Sequence, residues 1–271
     1  MRLKSYSKIN LTLRVLKKLK SGLHDIETNS TLIDLYDEID IKKNKKDIIN
    51  FHGKFKNEVN PKKNSIIDTL NLLRKFKIIN DFYKITIKKN IPVYSGLGGG
   101  TSNSFSIARH FLKNNFNEKL IIALEKKIGS DFRLFLNNNS FQKNLRKVFK
   151  IKNNIKSYVL LVYPNINCET KNIYKIVRNF SSKSNTNYFK KFNRKKYVKI
   201  IKKDRNDLQQ IVEKKYSKIS SLLKFIDKLD GCIFSRMTGS GSVCYGVFNS
   251  KKTAKFAMAN LKRKYLKYWC V

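Results

Sequence analysis

Stretches of alternating apolar and polar residues, separated by stretches where apolar residues recur every three or four positions, divide the 271-residue chain into predicted strands and helices. Residues 32–41 are rich in Ile and Leu with interleaved acids, and residues 83–88 alternate Tyr, Ile and Ile with Lys and Thr, so both predict strands. Between them Ile66, Leu70, Leu73 and Phe76 fall near helical spacing and predict an amphipathic helix over 66–76. Beyond a glycine-rich stretch, residues 101–114, with Phe105, Ala108 and Leu112, predict a helix, and 120–128 predict another. The pattern weakens over 141–156, which places a domain boundary near residue 150. Residues 158–163 are a short apolar run ended by Pro164, the mark of a buried strand. Residues 180–196 hold Ser, Asn, Lys and Arg in quantity and predict a mobile loop. Helices over 198–212 and 219–229, a strand over 243–248, a helix over 251–264 and a final strand complete the chain, with no internal repeat. That order predicts an α+β fold (α/β two-layer packing) in two domains, residues 1–150 and 151–271.

Composition narrows the class. Hydrophobic residues make up 41% of the chain, which suits a packed core and excludes a disordered one. No apolar run approaches the roughly 20 residues that span a bilayer, and the first residues lack an apolar signal core. A cytoplasmic protein without a membrane partner is the expectation, as a monomer or weak dimer. Cys168, Cys232, Cys244 and Cys270 form no CxxC pair and no zinc-finger spacing with a histidine, which reads as buried free thiols. The formal charge of +40, from 59 Lys and Arg against 19 Asp and Glu, opens a nucleic-acid reading. The positive residues are spread along the whole chain, however, as a bias towards Lys, Asn and Ile would spread them, and a basic surface also attracts a phosphorylated small molecule.

The sharpest local feature is the stretch Pro92, Val93, Tyr94, Ser95, Gly96, Leu97, Gly98, Gly99, Gly100, Thr101, Ser102, Asn103, Ser104, where four of the chain's eleven glycines fall within five residues. It follows a predicted strand and opens a predicted helix. Free N–H groups and the positive end of the helix dipole converge at such a junction on an anion, and glycine lets the backbone approach closely. Thr101, Ser102 and Asn103 add hydroxyl and amide donors, so a triphosphate is the expected occupant. The bland alternative is a tight turn with an N-cap. No Lys follows the glycines as a P-loop needs, and Thr101 stands where a dinucleotide fingerprint needs Gly or Ala.

The stretch resembles the second motif of the GHMP kinases, P-x-G-G-G-L-G-S/G-S/G-S-S, with Tyr94 and Ser95 in place of its first two glycines. The N-terminal Ser7-Lys8-Ile9-Asn10-Leu11 resembles the first motif, A-K-I-N-L, and Arg236-Met237-Thr238-Gly239-Ser240-Gly241 resembles the third, R-M-S/T-G-S/T-G. Two further matches narrow the resemblance to the diphosphocytidyl-methylerythritol kinase family. Ser21-Gly22-Leu23-His24 stands for D-G-Y-H, and Ile128-Gly129-Ser130-Asp131-Phe132-Arg133 for L-G-A-D-V-P. The resemblance covers nearly the whole chain. It implies an N-terminal domain like ribosomal protein S5, a C-terminal ferredoxin-like domain, and ATP with Mg²⁺ as the phosphoryl source.

What the resemblance implies for the site is specific. Asp131 is the candidate general base for an alcohol, and Lys8 its partner beside the hydroxyl. Residues 94–104 are the nucleotide-binding loop, with the amides of 98–102 on the β- and γ-phosphates. Asn10 contacts the alcohol, His24 hydrogen-bonds the cytosine edge, Tyr174 stacks on its ring, and Thr238, Gly239 and Ser240 contact substrate. Leu23 stands where the family has its other stacking aromatic. The implied reaction is phosphorylation of the 2-hydroxyl of a cytidine diphosphate-linked polyol in isoprenoid precursor synthesis. The competing readings are another GHMP kinase acting on mevalonate, homoserine or galactose, a decayed kinase, and a basic RNA-binding protein with an S5-like fold. The RNA reading predicts salt-steep affinity and no ATP turnover.

Overall fold

Two long strands open the chain, β1 (Arg2–Lys18) and β2 (His24–Asn44), and they pair with each other. The turn between them runs through Gly22 at φ +81°, closed by the Gly22 N–H on the Leu19 carbonyl at 2.9 Å. The computed structural model describes residues 2–61, 64–155 and 157–271. The chain packs as two compact units that interleave along the sequence. One gathers Met1–Lys8, Leu32–Val93 and Gly98–Leu136; the other gathers Ile9–Thr31, Tyr94–Leu97 and Asn137–Val271.

In the first unit, β3 (Ile48–His52) runs parallel to β4 (Phe82–Lys88), and β4 pairs antiparallel with the later half of β2, Ile41 opposite Ile85. Alternation sends Ile39, Ile41, Ile85 and Ile87 to one face. There they meet the apolar stripes of α1 (Ser65–Lys75), α2 (Gly99–Leu112) and α3 (Glu118–Ile128), carried by Leu70 and Leu73, Phe105 and Ala108, and Leu120 and Leu124. Asn64 caps α1 through the N–H groups of Ile66 and Ile67, and Asn117 caps α3 through that of Leu120.

In the second unit, β10 (Trp269–Cys270), β7 (Tyr158–Tyr163), β9 (Cys244–Phe248) and β8 (Cys232–Met237) form an antiparallel sheet in that order. Its helices are α4 (Thr170–Lys175), α5 (Arg194–Lys203), α6 (Asp207–Lys215), α7 (Ser217–Asp227) and α8 (Lys251–Lys264). Leu160, Val162, Leu208, Leu222, Ile226 and Leu261 are among the residues of its core. Residues 28–31 of β2 pair antiparallel with β5 (Asn139–Gln142), which pairs with β6 (Val148–Lys150).

Three expectations about local structure are corrected. The weak pattern over 141–156 contains the end of the short strand β5 and all of β6. The helix expected over 198–212 is two helices: Asp204 turns extended, and the Asn206 side chain starts α6 by accepting from Leu208 N–H at 3.0 Å. The stretch 180–193 is irregular, but it is tied down. Tyr188 is buried, and the Asn153 amide donates to the carbonyls of Tyr188 (2.9 Å) and Lys190 (2.8 Å). Among the described residues the four cysteines are free, and no helix is long and apolar enough to cross a membrane.

Candidate active site

The glycine loop enters α2 in the first unit. Gly98 is its N-cap in the left-handed region, φ +72°, and the Ser102 N–H closes the first helical bond on the Gly98 carbonyl at 2.8 Å. The amides of residues 98–101 precede that bond and have no acceptor within the helix, which is the geometry of an anion site. A Cβ on Gly98 would fall 3.0 Å from the Phe135 ring and 3.3 Å from Lys8 Cε, so the loop lies directly on the Lys8 side chain. Lys8 Nζ pairs with Asp131 Oδ2 at 3.1 Å; the lysine side chain is 3% exposed and the aspartate 34%. Sequence positions 8, 98 and 131 therefore converge.

Not every polar residue of the loop can serve a ligand. Ser102 donates its hydroxyl to the Tyr6 carbonyl at 2.5 Å and lies 2.7 Å from Ser5 Oγ. The Asn103 amide donates to Asp37 Oδ2 at 3.0 Å, and Ser104 donates to the Ser65 carbonyl at 3.2 Å. These three sit on the buried face of α2, so the donors expected of Ser102 and Asn103 are engaged within the protein. Gly99 and Gly100 contribute backbone, and Thr101 is half-buried.

Sequence reasoning missed a buried ion pair under this loop. Asp37 accepts from Lys89 Nζ and from the N–H groups of Asn90 (2.7 Å) and Ile91 (2.9 Å). Lys89 Nζ lies 3.5 Å from where a Cβ on Gly99 would sit. The signal was present: Asp37 precedes Ile39 and Ile41, and Lys89 follows Ile85 and Ile87, each at the inward register of its strand.

The other candidates lie in the second unit. Tyr94 takes φ +50° with an exposed side chain, and its carbonyl accepts from Cys168 N–H at 3.3 Å. Ser95 is buried, with its carbonyl on Val243 N–H at 3.1 Å, and Leu97 is a core side chain. Gly96 runs against the third motif, which is the β8–β9 connection: a Cβ on it would fall 2.1 Å from the Thr238 carbonyl oxygen. Asn10 donates its N–H to Thr238 Oγ1 (2.9 Å) and its amide to Thr28 Oγ1 (2.9 Å), which fixes both its backbone and its side chain. The Gly239 carbonyl accepts from the Asn206 amide at 2.8 Å, and Ser240 Oγ lies 2.9 Å from Thr170 Oγ1 at the start of α4. Arg236 of the same motif is structural. It donates to the carbonyls of Leu11, Ile201 (3.0 Å), Lys202 (3.3 Å) and Asp204 (2.5 Å), collecting the end of α5.

The His24 and Tyr174 rings lie 5.1 Å apart, tilted 34°. Burial, with Lys18 adding to it, lowers the imidazole pKa, so the ring is held neutral, with one nitrogen a donor and the other an acceptor. Phe180, which no sequence motif marked, has its ring 6.3 Å from His24 and is 47% exposed. The three rings are an aromatic nest with a hydrogen-bonding edge, suited to a flat heterocycle.

The GHMP kinases N-terminal domain matches residues 64–133, and the GHMP kinases C-terminal family matches residues 189–267. The 4-diphosphocytidyl-2-C-methyl-D-erythritol kinase of Pelagibacter ubique is 35% identical over 100% of this chain and 97% of its own. That of Caldanaerobacter subterraneus is 32% identical over 98% of this chain and 94% of its own. Among solved structures, a 4-(cytidine 5'-diphospho)-2C-methyl-D-erythritol kinase superposes with a TM-score of 0.76 at 19% identity, covering 100% of this chain and 98% of the other. A mevalonate kinase does so at 0.68 and 16%, covering 100% and 98%. At these identities the superpositions speak for the fold, while the full-length sequence relatives speak for the family. This chain belongs to the 4-diphosphocytidyl-2-C-methyl-D-erythritol kinase family of the GHMP kinases.

Proposed function

We propose that this protein transfers the γ-phosphoryl group of ATP to the 2-hydroxyl of 4-diphosphocytidyl-2-C-methyl-D-erythritol and releases ADP, a step of non-mevalonate isoprenoid precursor synthesis. The observation that carries the reading is the Lys8–Asp131 pair at 3.1 Å, packed against the glycine that caps α2. Asp131 accepts the proton of the substrate hydroxyl as that oxygen bonds to the γ-phosphorus, and the bond to the β–γ bridging oxygen breaks. The Lys8 ammonium stabilises negative charge gathering on the transferred group. The amides of residues 98–101 at the start of α2 hold the phosphates, and Thr101 adds a hydroxyl there. His24 pairs with the cytosine edge, Tyr174 and Phe180 cover its ring, and the family resemblance assigns Asn10, Thr238, Gly239 and Ser240 to the substrate.

In this reading Mg²⁺ accompanies ATP, carried largely by phosphate oxygens and water, where it would neutralise phosphate charge. In this reading residues 1–150 carry the nucleotide loop and the base, residues 151–271 carry substrate and nucleotide contacts, and the enzyme works in the cytoplasm as a monomer or weak dimer.

A coupled ADP-release assay with the cytidyl alcohol, mevalonate, homoserine and galactose tests the assignment. Turnover is expected with the cytidyl alcohol. Asp131→Asn should lower kcat by about 10²–10⁴-fold, the size of a general-base contribution. Turnover with a different alcohol of the panel, or steep salt-dependent RNA binding without ADP release, would replace this reading.

A further inference from the structure

The family resemblance places proline two residues after the aspartate; this chain has Arg133, and the structure gives it work. Arg133 is buried, and its guanidinium makes two forked contacts. Nε and Nη2 reach Glu125 Oε1 (2.9 Å) and Oε2 (3.0 Å), while Nη1 and Nη2 reach Glu118 Oε2 (3.0 Å) and Oε1 (2.8 Å). Glu118 and Glu125 are seven residues apart on α3, two turns along one face. Between α3 and Arg133 the chain has a four-residue link that contains Asp131.

Phe132 anchors one end of that link in the core, fully buried against the Phe105 and Phe116 rings. Gly129 takes φ +146°, a conformation open to glycine. One N–H ties each end: Gly129 to the Glu125 carbonyl (3.0 Å) and Phe132 to the Gly129 carbonyl (3.1 Å). The Asp131 carbonyl accepts from Leu134 N–H at 3.0 Å, which binds Asp131 to the turn that Arg133 staples. Proline would stiffen this link by fixing one dihedral; the arginine does so by forked, charge-assisted bonds to the preceding helix. The guanidinium remains charged through the working pH range, because both carboxylates raise its pKa.

We infer that Arg133 is a positioning residue for phosphoryl transfer: by clamping the 129–133 link onto Glu118 and Glu125, it sets where Asp131 meets Lys8. The inference rests on the assignment of Asp131 as general base. A misplacement near 1 Å costs about 10²-fold in rate. Arg133→Met should therefore lower kcat roughly 10- to 100-fold, with the KM of both substrates within about twofold.

The experiment is a kinetic cycle on the full chain: wild type, R133M, D131N and the double variant, each with a thermal scan. If Arg133 acts through Asp131, R133M adds no further loss to D131N. Multiplied losses in the double variant overturn the inference, as does an R133M enzyme that melts earlier but turns over normally per folded molecule. Wild-type turnover in D131N overturns the base assignment itself, a result visible without any Arg133 variant. Should R133M fail to fold, Glu125→Gln removes half of one fork and is expected to give the same kcat loss at smaller size; normal kcat in E125Q together with additivity on D131N overturns the clamp.

Discussion

Gly96→Ala offers a test in which the structure supplies the control. Gly96 (φ +79°) and Gly22 (φ +81°) share a positive φ and differ in surroundings. A Cβ on Gly22 meets nothing within 4 Å, whereas on Gly96 it falls 2.1 Å from the Thr238 carbonyl oxygen and 3.2 Å from the Gly241 nitrogen. Both variants bear the left-handed penalty, about 1–2 kcal/mol. Only Gly96→Ala also has to displace the turn. That turn is pinned, because Thr238 donates its N–H to Val243 (3.0 Å) and accepts from Gly241 (2.9 Å). Overpacking against fixed backbone adds about 1–3 kcal/mol. The expected totals are roughly 2–5 kcal/mol for Gly96→Ala and 1–2 for Gly22→Ala. At about 2–4 °C per kcal/mol, thermal scans should place Gly96→Ala roughly 4–20 °C below wild type and Gly22→Ala roughly 2–8 °C below. Equal losses would refute the reasoning, since they would mean that Gly96 does not lie on the Thr238 turn.

Three further outcomes are expected. Asp37→Ala strands the buried Lys89 ammonium and should cost about 3–5 kcal/mol in urea unfolding; the Asp37→Leu/Lys89→Met double variant should recover only part of it, because the N–H groups of Asn90 and Ile91 and the Asn103 amide lose their acceptor. Tyr174→Ala should raise KM for the cytidyl alcohol and leave that for ATP alone, by about 5- to 150-fold for a stack worth about 1–3 kcal/mol; Phe180→Ala should move the same constant in the same direction, and an unchanged value would remove Phe180 from the nest. The lowered His24 pKa gives stability that is present above the imidazole's ordinary 6.5 and lost as pH falls through the lower folded value. Melting temperatures of wild type and His24→Gln should therefore converge on acidification, and curves that stay parallel would sink the burial argument.

Local pattern carried much of the fold into the sequence. Helix α8 spans 251–264 as its apolar spacing indicates, and α1, β4 and β7 lie within a residue of theirs. The failures have different causes. Six polar residues, 202–207, interrupt the apolar rhythm between Val198 and Val212, and Asn206 among them is a capping type, so this break had a local signal. The break is secured by Arg236, whose guanidinium gathers the carbonyls of Ile201, Lys202 and Asp204. The 180–193 stretch looks mobile by composition because Asn153, which holds it, lies some thirty residues earlier. The pairing of Lys8 with Asp131 was legible through motif chemistry, but the inward turn of Ser102 and Asn103 was not, since their donors point along the buried side of α2.

The two departures at the loop's entry show which glycines the fold requires. At Tyr94 the backbone is left-handed, but the side chain points to solvent, 56% exposed, so the residue bears a conformational cost and no clash. Ser95 is buried and acts through its carbonyl, which any residue supplies to Val243 N–H. At Gly96 the Thr238 carbonyl occupies the space a side chain needs, and at Gly98 the Phe135 ring and Lys8 close in. Motif glycines are thus replaceable where only torsion is at stake and fixed where backbone or the Lys8 stem fills the Cβ position.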